Sequence, residues 1–203
     1  MQKKYLKTKN GFTLVETMIS ISLFLIIIIS GIGALVNTNL IGSKAQNMHS
    51  IMDNLSFIME DMSRNLKTGY NFHCDIGIGD LTTPRTCAEG GYSMAFEASG
   101  NTENPDDQWV YKIELGAKAG EYNIFKSTEG GSTSPVDTFV QLNPDEVVLG
   151  VDSKFLVLGD ETGDVIQDQQ PMVIIRLVGE IYYKDTKTPF SIQTSASQRF
   201  IES

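Results

Sequence analysis

Apolar and polar positions divide the chain into three stretches. From Thr17 to Ser43 no residue is charged, and Met18 to Val36 reads MISISLFLIIIISGIGALV. In a helix a run of this length spans roughly 28 Å, close to the hydrocarbon thickness of a bilayer. Beyond it Met48, Ile51, Met52, Leu55, Ile58, Met59, Met62 and Leu66 recur at spacings of three and four, the pattern of an amphipathic helix. Asp53, Glu60, Asp61, Arg64 and Lys67 fill the opposite face, and Gly69 is a stop signal. No proline precedes Pro84, so residues 12 to 68 read as one helix, with Gly31, Gly33 and Gly42 as the places where it could bend.

After residue 70 the period changes to short alternating runs separated by turns. Gln108 to Leu115 alternates Trp109, Tyr111, Ile113 and Leu115 against polar neighbours, which predicts a half-buried strand. Further strands are expected over Glu121 to Ser127, Val136 to Leu142, Glu146 to Val151 and Lys154 to Leu158. The longest runs, Met172 to Tyr183 and Phe190 to about Phe200, predict a hairpin joined by Lys184 to Pro189. A helix followed only by strands implies an α+β fold, a long N-terminal helix whose methionine-rich second half covers one face of an antiparallel sheet.

At 203 residues there is room for one domain and an anchor. Charge sharpens that division. The first eleven residues hold Lys3, Lys4, Lys7 and Lys9 and no acid, which leaves 12 basic against 25 acidic side chains, net −13, in the remainder. A body so acidic repels phosphate backbones, so direct nucleic-acid binding is disfavoured. The lysines ahead of the apolar run keep the N-terminus in the cytoplasm by the positive-inside rule and place residues beyond about 45 outside. A secretory signal peptide cleaved near Ser43-Lys44-Ala45, or a plain signal anchor, would share these features. Neither accounts for Glu16, since a charged side chain within the bilayer costs about 2.5–3.5 kcal/mol on insertion scales and calls for a partner. Cleavage after Gly11 would supply one: the new amine of Phe12 lies four residues, about one helical turn, before Glu16.

Gly11-Phe12-Thr13-Leu14-Val15-Glu16, behind a basic leader and ahead of a long apolar helix, resembles the prepilin cleavage motif of type IV pilins and type II secretion pseudopilins. The resemblance implies four regions: leader 1–11, transmembrane and assembly helix 12–43, amphipathic half-helix 44–68, and an extracytoplasmic β-rich head 69–203. It implies a prepilin peptidase that cuts between Gly11 and Phe12 and methylates Phe12, and a Glu16 that pairs with the amine of a neighbouring subunit. Other pilin subunits and an inner-membrane assembly platform are the implied partners, and the bacterial cytoplasmic membrane, then a filament, the implied location. Met59 to Leu66, Tyr122 to Ser127, Pro171 to Leu177 and Phe190 to Arg199 also resemble minor pseudopilins of the J-component kind and relatives in pilus and competence systems.

Cys74 and Cys87 fall on the outer side of the expected membrane, where an oxidising compartment favours a bridge closing the glycine-rich segment around Pro84. A metal site at His73 and Cys74 is the sharper alternative, but the paired short spacing of zinc sites is missing. Asp160, Glu161, Asp164 and Asp168, and the pair Asp106-Asp107, read as solvated turns; the former lack EF-hand spacing for calcium. With His49 and His73 the only histidines, and with no G-x-S-x-G, Walker A or dinucleotide motif, neither an enzyme nor a cofactor is expected. A membrane-anchored module that binds a surface polymer, cargo or DNA through Trp109 and the tyrosines is the competing function.

Overall fold

The structure, a computed structural model, describes residues 11–98, 108–116, 120–130, 138–159, 170–184 and 186–198. The chain divides into two compact units, Met1–Asn47 and Met48–Ser203. Helix α1 runs Leu14–Thr68, and its helical hydrogen bonding continues through Gly31, Gly33 and Gly42. In the first unit its side chains are exposed, and the run is long and apolar enough to cross a membrane. The hydroxyls there do not add to that burden: Thr17, Ser20, Ser22 and Thr38 donate to the carbonyls of Leu14, Glu16, Met18 and Ala34.

In the second unit α1 turns Ile51, Leu55, Ile58, Met59, Met62 and Leu66 into the core, with Met48 and Met52 half-buried beside them. Asp61, expected on the solvent face, instead points toward the sheet, 3.2 Å from Lys126 Nζ. The same lysine lies 4.4 Å above the Trp109 ring, and Asn65 reaches Tyr111 Oη at 3.2 Å. Burial pushes the Tyr111 phenol far above its ordinary range, so it stays neutral as the Asn65 acceptor.

Among the described residues ten strands form one antiparallel sheet: β1 (Tyr70–Cys74), β2 (Cys87–Gly91), β3 (Ser93–Glu97), β4 (Trp109–Leu115), β5 (Tyr122–Ser127), β6 (Val140–Gln141), β7 (Val147–Leu149), β8 (Lys154–Leu158), β9 (Met172–Tyr183) and β10 (Thr186–Ser197). Their order is β1-β3-β4-β5-β7-β9-β8-β2, with β10 added to β9 and β6 to β5. β7 and β8 follow one another along the same length of β9: Leu149 pairs with Gly179, and Lys154 with Arg176. The stretch between them holds two more residues than the stretch of β9 it faces, so it is a bulge. Buried Ser153 repairs it, accepting the Val178 N–H at 3.0 Å and donating to the Val178 carbonyl at 2.8 Å.

The strands over Gln108 to Leu115, Glu121 to Ser127, Lys154 to Leu158 and Met172 to Tyr183 stand where alternation puts them, and only Val140–Gln141 of the Val136 to Leu142 run is a described strand. The hairpin is tighter than expected. β10 begins at Thr186, so Pro189 lies inside the strand opposite Glu180. Proline is tolerated because, among the described strands, β10 pairs only with β9 and is an edge. Strand β4 also departs from half-burial: Val110 is buried on the face opposite Tyr111, in a second cluster with Leu81 and Ala95, while Leu115 is 57% exposed. The reason is the loop between Cys74 and Cys87, which brings Leu81 and Ile76 over the far side of β3 and β4.

Candidate functional site

Two places carry the residues singled out in the sequence. The first is the start of α1. Gly11, Phe12 and Thr13 are non-helical and exposed, and the Glu16 N–H donates to Thr13 Oγ1 at 3.3 Å. Thr13 is thus the N-cap and Glu16 the third helical residue, the T-x-x-E spacing of a capping box. Thr13 was missed by charge and hydropathy, although that spacing marks it. Glu16 stands in the first turn, where the helix dipole favours an anion. A Cβ added at Gly11 would meet nothing within 4 Å, and Gly11 is not among the positive-φ residues. Among the described residues nothing demands glycine there. Phe12 is 81% exposed.

Residues 6–32, which include this join, match the family described as a prokaryotic N-terminal methylation motif. That match points to a type IV pilin-like precursor. A motif of this type points to a structural subunit and to a prepilin peptidase as its processing partner, and it agrees with anchoring by the apolar part of α1. No curated protein and no solved structure matches the chain. Ser43, Lys44 and Ala45, the alternative cleavage point, lie within α1.

The second place is the loop between β1 and β2. Cys74 and Cys87 are joined by a disulfide with their Cα atoms 5.9 Å apart. The Cys74 N–H donates to the Arg85 carbonyl at 3.0 Å, and the Arg85 guanidinium returns to the Cys74 carbonyl at 2.7 Å. Asn71 Nδ2 donates to Thr82 O at 2.6 Å and Gln108 Nε2 to Leu81 O at 2.8 Å. Asp80 Oδ1 accepts the Thr82 N–H and hydroxyl, and these bonds, with a smaller contribution from His73, hold its carboxyl below the usual range. His73 has both ring nitrogens turned to backbone carbonyls, and with Cys74 oxidised the pair offers no metal ligand set. Asp106, Asp107, Asp160, Glu161, Asp164 and Asp168 lie outside the described residues. The aromatic candidates separate: Tyr111 is fully buried and Trp109 half-buried, whereas Tyr92 is 45% exposed and stacks on Tyr122.

Proposed function

We propose that the chain is a structural subunit, a minor pilin or pseudopilin, of a type IV pilus, type II secretion or competence filament. Cleavage between Gly11 and Phe12 and methylation of the new Phe12 amine leave a helix whose sole acid in its first turns is Glu16. That carboxylate pairs with the Phe12 amine of an adjacent subunit as the inner-membrane assembly platform lifts the helix from the membrane. The observation that carries this reading is the join at residues 11–16: an open glycine, an exposed phenylalanine, a cap, and an acid ahead of an uncharged run.

Physical reasoning supplies the order of effects. An unpaired carboxylate in hydrocarbon costs several kcal/mol, so pairing it with an amine favours the packed helix over the lone one. Glu16→Ala removes that drive and leaves the cleavage point intact. The expected result is normal trimming of the precursor with incorporation into filaments reduced at least about tenfold, the equivalent of 1.4 kcal/mol. Glu16→Asp keeps the charge on a shorter stem and recovers part of the incorporation. Filaments containing Glu16→Ala subunits at the native level, from a precursor trimmed as usual, would remove the pairing role.

A further inference from the structure

His73 is 1% exposed, and each ring nitrogen faces a carbonyl of the loop that the disulfide closes: Nδ1 lies 2.7 Å from Thr83 O and Nε2 2.8 Å from Ile78 O. A neutral imidazole has one N–H and one lone pair, so either tautomer satisfies one carbonyl and sets a lone pair against the other. The imidazolium has two N–H groups and satisfies both. The ring is buried although Ile78 and Thr83 are exposed residues, so the unmet atom without water to turn to is the ring nitrogen.

We propose that His73 is a proton-operated clasp on the disulfide loop: the doubly protonated ring holds residues 75–86 at Ile78 and Thr83, and loss of one proton frees one carbonyl and loosens the loop. The surrounding charges act in both directions, Asp80 favouring the charged ring and the Arg85 cation opposing it. From the loop, Asp80 acts on the ring electrostatically, and Arg85 lies across an isolated bridge from His73 with its guanidinium on the Cys74 carbonyl. From β3 the direct partner is uncharged Ala95, and Glu97, two residues on, receives the Gln108 amide. On the His73 side of the chain Asp75 accepts the Gly77 N–H. Asp80 is therefore a carboxylate on the same loop that draws it toward the charged ring and lets go when the charge leaves. The disulfide ties Cys74 to Cys87 in both states, so loosening changes the loop surface, where Ile78 is 50% exposed, without releasing β1 from β2.

The test uses the full-length chain in detergent with the histidine rings labelled with ¹⁵N. The sequence has only two histidines, and exposed His49 serves as the internal reference. As the pH is raised, the ¹⁵N signals of the His73 ring should report two bound protons giving way to one. Amide exchange across residues 75–86, corrected for its intrinsic pH dependence, should be about tenfold faster once the ring holds one proton, the loss of one charge-assisted bond. His73→Gln should abolish that pH dependence. A ring with one proton throughout, or exchange that varies with pH equally in wild type and His73→Gln, would overturn the proposal. If the variant does not fold, the wild-type ring signals decide on their own.

Discussion

A methyl group built on Gly69 would stand within the van der Waals envelope of the Phe96 ring, and Gly69 is not among the positive-φ residues. Glycine ends α1 here because β3 passes close, not because the backbone turns left-handed. Gly69→Ala should then lower the stability of the folded chain by about 1–3 kcal/mol through overpacking, read as a shift of the denaturant midpoint in detergent; an unmoved midpoint would contradict this packing. Asp80 allows a second statement with a definite sign. Its carboxyl is held below the ordinary range by Thr82, so its support of the loop is present above the unfolded value, about pH 4, and is lost as pH falls through the lower folded value. Loop amide protection should decline on that acid side in wild type and show no such decline in Asp80→Asn.

At the scale of elements, the loop from Cys74 to Cys87 does what a helix or strand does elsewhere: it covers an apolar face, formed by Ala95 and Val110. Its bridge has a sequence separation of 13, and closing a loop of that length is worth roughly 3 kcal/mol in the chain-entropy account. Replacing both cysteines by serine should lower unfolding stability by about that amount and expose Leu81 and Val110 to solvent, detectable as faster exchange in β3 and β4. Equal stability with and without the bridge would show that the loop's own hydrogen bonds suffice. The β9–β10 hairpin is built differently. Gly179 has no room for a side chain against the Val148 carbonyl, and Phe190, directly opposite in β10, covers the bare backbone.

Over the whole molecule, what was legible in the sequence is what is decided locally. Lys154–Leu158 and Met172–Tyr183 are strands with their bounds as alternation sets them, because one buried face imposes a period of two. The amphipathic half of α1 was equally plain from its stripe. Strands β1, β2 and β3 were not, since Tyr70–Cys74 and Cys87–Gly91 are short and β3 is buried on both faces, which erases the alternation. The edge position of β10, which admits Pro189, and the turn of Asp61 toward Lys126 depend on partners far along the chain. The same division holds at the sites. Gly11, Phe12 and Glu16 stand out by charge and composition, whereas the role of His73 depends on carbonyls five and ten residues later folding back over it.

The mature N-terminus tests the account most directly. Tandem mass spectrometry of the protein extracted from the membrane of a host with an active prepilin peptidase should find a chain that begins at Phe12 and carries one methyl group on its amine. A chain that retains Met1 to Gly11, or that begins beyond Ala45, would contradict the reading of residues 11–16 on which the assembly role of Glu16 rests.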